Sequence, residues 1–167
     1  MANLITEQRI IDNNKRALIK YVGTLDTAVA NTTLLDASSL RLALNANGQI
    51  MTSNTHIKSN YRTTIKRVFG YAKANAYFKL QWAGDSNSSI VTIGSGNFDY
   101  SFDPMGDGAV IPNPEANATG DIILTVLTPS SADTLTLFLD LRKDSRDYDA
   151  GQTADPVAFN RGPARFT

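Results

Sequence analysis

The stretch at residues 135–141, which reads LTLFLDL, carries the clearest structural signal in this chain of 167 residues. Leucine occupies every second position, with Thr136, Phe138 and Asp140 between the leucines. Successive side chains of a β-strand point to opposite faces of the sheet, so a period of two marks a strand with one buried face. The stretch therefore predicts a strand whose leucines lie in a hydrophobic core.

A second strong alternation lies at residues 76–82, where Phe78, Leu80 and Trp82 are predicted to face the same core. Asn47-Gly48 predicts a turn, because this dipeptide tolerates positive φ angles. Weaker patterns predict further strands at residues 15–22, 39–45, 64–71, 90–93, 98–102 and 122–127. Residues 24–36, 51–63 and 104–120 are predicted to be loops. Short strands separated by regular turn signals predict an all-β fold, an antiparallel sandwich that is jelly-roll-like.

The strand signals occupy only the middle of the chain, which predicts a domain with two extended arms. Residues 1–14 are predicted to form a polar N-terminal arm, residues 15–143 the β-sandwich domain, and residues 144–167 an extended C-terminal tail. The tail shows no helix or strand period, but it contains widely spaced aromatic residues that could anchor it on a partner.

The composition excludes several function classes. The chain contains no cysteine, which excludes disulfides, Cys-ligated zinc, iron–sulfur centres and a thiol nucleophile. His56 is the single histidine and no G-x-S-x-G motif is present, so we expect no catalytic residue, no cofactor and no enzymatic activity. No apolar run approaches the length of a membrane span, and the N-terminus lacks the pattern of a signal peptide.

Charge is segregated along the chain although its net value is zero. Residues 37–84 carry seven basic residues and no acid, whereas residues 80–141 carry eight acids and no base. If the two blocks lie on different faces of the domain, they make it a dipole whose copies attract each other head to tail. On adjacent strands, they would instead pair within one molecule. The basic block is too sparse to predict a nucleic-acid site.

One group of acidic residues could bind a cation. Asp99, Asp103 and Asp107 could place carboxylates around Ca²⁺, but their spacing does not match an EF-hand loop, and solvated loop carboxylates are the alternative.

A group of aromatic residues could bind a sugar. Trp82, Tyr77 and Tyr100 could form a stacking platform, although the alternation of residues 76–82 favours a core position for Trp82.

The candidate interaction residues come from the basic block, the acidic block and the C-terminal tail. They are Arg62, Lys66, Arg67, Asp99, Asp103, Asp107, Tyr148, Phe159 and Phe166.

Five segments, taken in order, carry a resemblance to a known family. They are KRALIKYVG at 15–23, AYFKLQWAG at 76–84, GSGNFDYSF at 94–102, TGDIILTVL at 119–127 and LTLFLDLRK at 135–143. In these segments the chain resembles small virion structural proteins of tailed bacteriophages, particularly those of marine and cyanobacterial phages. The tail after Lys143 departs from the pattern, which ends near the last strand.

The resemblance implies a jelly-roll protein that decorates or cements the capsid by non-covalent binding across capsomers. The expected partners are the major capsid protein and further copies of the chain, in a dimer or trimer, with neither nucleic acid nor membrane. Such a protein is made in the host cytoplasm and resides on the capsid surface of the virion. A head–tail connector, neck or tail accessory protein is one alternative, and a receptor-facing carbohydrate-binding sandwich is another.

Overall fold

The computed structural model describes residues 4–26, 28–53, 56–73, 77–102, 111–112, 119–127 and 133–149. Within these ranges the chain forms ten strands and one short 3-10 helix, Ala37–Ser39. No helix among the described residues is long and apolar enough to cross a membrane. The strands are β1 (Leu4–Asp12), β2 (Arg16–Leu25), β3 (Val29–Leu35), β4 (Thr63–Lys73), β5 (Tyr77–Trp82), β6 (Ser88–Ile93), β7 (Gly96–Ser101), β8 (Ile111–Pro112), β9 (Ile122–Leu127) and β10 (Asp133–Lys143).

These strands form two antiparallel sheets. The first sheet has the order β1-β2-β10-β4-β7, with β8 beside the start of β4, and the second has the order β3-β9-β5-β6. The pairs are nested along the chain: β5 pairs with β6, β4 with β7, β3 with β9 and β2 with β10. Buried side chains from both sheets join one hydrophobic cluster. The predicted all-β antiparallel sandwich is therefore confirmed.

The nesting gives the sandwich two different ends. At one end, two residues suffice to join β6 to β7. At the other end lie the starts of β2 and β4, the end of β10, the connection at residues 36–62 and the segment 144–149. We call this second end the long-loop end.

The core contains the side chains that the alternation predicted. All seven are at most 2% exposed: Phe78, Leu80 and Trp82 on β5, and Leu135, Leu137, Leu139 and Leu141 on β10. β10 pairs with β2 on one side and with β4 on the other, so its leucine face lies at the centre of the first sheet.

The prediction of an N-terminal arm is wrong for residues 4–12. These residues form β1, which extends the first sheet by pairing with β2 from Leu4 to Asp12. β1 is an edge strand with mostly exposed side chains, so its sequence lacks the apolar alternation that marks a buried strand. The register between the two strands shifts between Arg9 and Ile11, which interrupts the period further.

Two adjacent predictions between β2 and β4 are also wrong. Residues 24–36 were expected to be a loop, but β2 continues to Leu25 and β3 follows. The polar residues of β3 pair through their backbone with β9 while their side chains stay exposed, which explains the loop-like composition.

Residues 39–45 were expected to be a strand, but the 3-10 helix and a series of turns occupy this region. Asp36 caps that helix by accepting a hydrogen bond of 2.8 Å from the backbone N–H of Ser38. Leu42 then adopts a positive φ of 65°, so Leu40 and Ala43 are buried in place of three alternating leucines.

The C-terminal tail does not begin at Asp144 as predicted. Residues 144–149 pack onto the sandwich, and Tyr148 forms an antiparallel bridge with Ala43. The backbone N–H of Leu44 donates a 2.8 Å hydrogen bond to the carbonyl of Asp147, and that of Asp149 donates one to Leu42 at the same distance. The segment is therefore part of the folded domain, whereas residues 150–167, including Phe159 and Phe166, lie outside the described residues.

The central position of β10 predicts a large effect of Leu137→Ala on stability. Removing this fully buried side chain is expected to lower the free energy of unfolding by about 2–5 kcal/mol, measured by denaturant unfolding. Leu127→Ala is the control, because Leu127 is exposed and its truncation leaves no cavity. Equal losses in the two variants would contradict the assigned core face.

Candidate functional site

The structure divides the predicted interaction residues between two regions. Arg67 and Asp99 lie on the outer face of the first sheet, and Arg62 and Tyr148 lie at the long-loop end. Lys66 precedes Arg67 on β4 and is partly buried. Asp103, Asp107, Phe159 and Phe166 lie outside the described residues.

An ordered row of aromatic and charged side chains crosses the outer face of the first sheet. Arg67 makes a two-point ion pair with Asp99, at 2.8 and 2.5 Å, and its guanidinium lies 4.6 Å from the ring centre of Phe69. Phe69 stacks on Phe138 with ring centres 4.8 Å apart and planes only 5° from parallel. Lys20 lies 5.8 Å from the Phe138 ring centre on its far side. The row therefore fixes side chains from four neighbouring strands in one geometry.

The Arg67–Asp99 pair bears on the two charge blocks. Arg67 belongs to the basic block and Asp99 to the acidic block, and they meet on the neighbouring strands β4 and β7. The hydrogen bonds from Arg67 lower the pKa of the Asp99 carboxyl. At this position the basic and acidic blocks neutralise each other within one molecule, which is the arrangement expected when the blocks lie on adjacent strands.

Exposed apolar side chains lie next to this row. Val22, Thr136 and Tyr71 are aligned across β2, β10 and β4, and Val22 and Tyr71 are 42% and 46% exposed. Leu4 on β1 extends the same face and is 65% exposed. Sequence reasoning missed this surface because its members are brought together only by the pairing of distant strands.

At the long-loop end, one buried carboxylate organises the surrounding basic residues. The side chain of Asp147 is 1% exposed and accepts hydrogen bonds from the Arg62 guanidinium at 2.6 and 3.0 Å. It also accepts from the Arg62 backbone N–H at 3.0 Å and from Lys58 at 3.1 Å. Burial alone would raise the pKa of Asp147, but these hydrogen bonds outweigh burial and lower it.

Two tyrosines hold the connection at residues 36–62 against this end of the sandwich. Tyr148 donates a hydrogen bond of 2.9 Å to the carbonyl of Ala37, and Tyr61 donates one of the same length to the carbonyl of Leu44. The rings pack against each other with centres 5.9 Å apart. Tyr148 is fully buried, so its prediction as a partner-contacting residue is wrong, and it is a structural anchor instead.

Gly120 allows the same region to pack closely against the start of β9. The backbone N–H of Tyr61 donates a 3.0 Å hydrogen bond to the carbonyl of Thr119. Gly120 has a φ of +89°, and a side chain there would place its Cβ 1.9 Å from the carbonyl oxygen of Tyr61. Only glycine fits this close approach.

A second buried ion pair lies beside the first. The Lys143 side chain is completely buried, forms an ion pair with Asp12, and donates a 2.9 Å hydrogen bond to the carbonyl of Arg41. Burial lowers the pKa of Lys143, while the hydrogen bond to Asp12 acts in the opposite direction. The pair connects the ends of β1 and β10 to the connection at residues 36–62.

A groove of about 520 Å³ lies at the long-loop end, next to one residue of each ion pair, Arg62 and Lys143. The end of β10 forms its centre, because Arg142 is aligned with Thr64 on β4 and the backbone N–H of Lys143 bonds to the carbonyl of Lys15. It is lined by Lys15, Arg62, Thr64, Arg142, Lys143, Asp144 and Ser145. The side chain of Lys143 is buried, so the exposed positive charge of the groove comes from the other three basic residues. Of these, sequence reasoning had selected only Arg62.

Two other hypotheses from the sequence, the sugar platform and the calcium site, can be placed, as can the single histidine. Trp82 is fully buried, as the alternation favoured, and Tyr77 and Tyr100 lie on different sheets. These three residues therefore do not form a sugar-stacking platform. His56 is exposed and has a φ of 59°. Among the described residues there is no group of three or more acidic or histidine side chains that could hold a metal ion, and two of the three aspartates of the calcium hypothesis lie outside those residues.

Comparison with known proteins gives no family assignment. No family model matches the chain, and neither the curated proteins nor the solved structures include a significant match.

The environment of Asp147 predicts a characteristic loss of stability in acid. Its native pKa lies below that of an unfolded aspartate, about 3.9, so the native state resists protonation. The resulting stabilisation is complete above that value and is lost as the pH falls through the native pKa. We expect the stability advantage of the wild type over Asp147→Asn, measured by urea unfolding, to shrink between about pH 5 and pH 2.

The pH dependence of the stability difference between the wild type and Asp147→Asn distinguishes an ion-pair contribution from simple packing. If Asp147 only filled space, the two proteins would lose stability in parallel as the pH falls. The neighbouring Asp144 is present in both proteins and contributes the same pH dependence to both. Hydrogen bonds from Arg146 lower its pKa to about 2. A constant difference between the curves would therefore contradict the proposed ion-pair contribution.

Proposed function

We propose that this chain is a non-enzymatic structural protein of a tailed-phage virion and that it decorates the capsid. The resemblance of the five segments supports the phage assignment. The nested strand order supports it too, because we infer a jelly roll from the eight strands β2–β7, β9 and β10. Jelly rolls are common among viral capsid proteins, although lectin domains also use them.

The observation that carries the proposal is the outer face of the first sheet. It is a broad surface on which Val22, Tyr71 and Leu4 expose apolar area beside a fixed aromatic row. Exposed apolar area of this kind marks protein contact surfaces, particularly where aromatic residues are included. The Arg67–Asp99 and Arg16–Asp140 ion pairs already neutralise much of the charge on this face.

The partners proposed on this basis are the major capsid protein and further copies of the chain. Decoration requires many equivalent weak contacts, and a shared face repeated over the shell supplies them by multivalency. The alternative of a sugar-binding module is weaker, because burial of Trp82 removes the residue best suited to stack on a sugar. A connector or neck protein would use a similar face, so the copy number in the virion must distinguish it from a decoration protein.

Quantitative mass spectrometry of purified virions tests the location. A copy number comparable to that of the major capsid protein is expected for a decoration protein. A copy number that matches a single ring would assign the chain to the neck or tail, and absence from the virion would contradict the proposal altogether.

A charge substitution tests the contact face. We expect Tyr71→Glu combined with Val22→Glu to abolish co-sedimentation with capsids that lack the protein, because the contact would bury unpaired charge. Ser89→Glu combined with Thr92→Glu is the matched control, since both residues are exposed on β6 of the second sheet. Loss of binding in the control alone would place the contact on the opposite sheet.

A further inference from the structure

The groove at the long-loop end carries more positive charge than its surroundings neutralise. Of the basic residues that line it, Arg62 is paired with Asp147, and Lys143, whose side chain is buried, is paired with Asp12. Asp144, the acidic residue in the wall, is paired with Arg146. Two cations, Lys15 and Arg142, have no ion-pair partner among the described residues, and both are exposed.

The groove also contains an unused hydrogen-bonding group. The hydroxyl oxygen of Thr64 is buried and has no hydrogen-bond partner among the described residues. Thr64 lies directly opposite Arg142 in the register of β4 and β10, so the two side chains lie on the same face of the sheet. A buried hydroxyl without a partner costs free energy, which an incoming acceptor would recover.

We propose that this groove binds an acidic peptide segment of a partner protein. The cations of Lys15 and Arg142 pair with carboxylates of that segment, and the Thr64 hydroxyl donates to one of its oxygens. Arg142 can bind a carboxylate through two parallel hydrogen bonds, whereas Lys15 acts as a point charge. The inference rests on the groove alone and does not depend on the proposed role in the virion.

Size and charge favour a peptide over other anions. A groove of about 520 Å³ exceeds the volume of a single phosphate ion and lies within the range of pockets that hold a drug-sized ligand, which a short peptide segment matches in size. Nucleic acid is disfavoured because its binding requires an extended basic surface, whereas this chain is neutral overall and places Asp144 in the groove wall.

The walls are built to hold these groups in place. The ion pairs of Arg62 with the buried Asp147 and of the buried Lys143 with Asp12 hold two of the residues that line the groove. A backbone hydrogen bond of 3.1 Å from Asp144 to the carbonyl of Arg62 joins the segments that carry these two residues. The exposed cations therefore project from a rigid base, which reduces the entropy lost on binding.

Fluorescence anisotropy with a labelled hexaglutamate peptide and the full-length protein tests the proposal. At about 50 mM salt, we expect binding that weakens at least about tenfold in the double variant Lys15→Gln/Arg142→Gln. Lys73→Gln/Lys79→Gln removes the same charge from other surfaces and is expected to bind like the wild type. Thr64→Val, which keeps the shape of the side chain, is expected to weaken binding by a smaller factor.

Three outcomes would overturn the proposal. No binding by the wild type, or equal weakening in both double variants, would mean that the peptide responds only to overall charge. Displacement of the peptide by inorganic phosphate at equal concentration would assign a simple anion site. Unchanged thermal melting of Lys15→Gln/Arg142→Gln confirms that its effect is local, as expected for exposed side chains.

Discussion

Every part of this sandwich depends on the double pairing of β10. The strand bonds to β2 on one side and to β4 on the other, and its leucines meet β5 and β9 through the common core. Because its backbone groups are satisfied on both edges, one strand can be buried at the centre of the sheet without cost from unpaired polar groups. The outer face, the groove and the buried ion pairs are all positioned relative to it.

The polar residues near the end of β10 convert this strand into an anchor for the long-loop end. Lys143 forms an ion pair with Asp12 and donates a hydrogen bond to the carbonyl of Arg41. Four residues later, Asp147 forms ion pairs with Arg62 and Lys58. Each carboxylate is buried with several donors, which offsets its desolvation far better than a single partner could. The same arrangement leaves Lys15 and Arg142 on the groove rim without an ion-pair partner among the described residues.

The sequence predicted the buried strands better than the edges and the site. β5 and β10 have one face in the core, so hydrophobic burial imposes the period of two that is readable in the residues. β1 and β3 are held mainly by backbone pairing, which leaves little trace in side-chain type. Tyr148 and Asp147 resembled a solvated tail because their partners, Ala37 and Arg62, lie 111 and 85 residues away. No local pattern can record such contacts.

The nested order of the strands also constrains how the chain reaches its folded state. The hairpin of β5 and β6 joins neighbouring segments, whereas each pair outside it joins residues farther apart. In the outermost pair, for example, 124 residues separate Arg16 on β2 from Asp140 on β10. Contacts between distant residues form slowly, since the chain loses more conformational freedom before they close. The groove and its ion pairs belong to the outermost layer of this order. We therefore expect the groove to be completed only in the last step of folding.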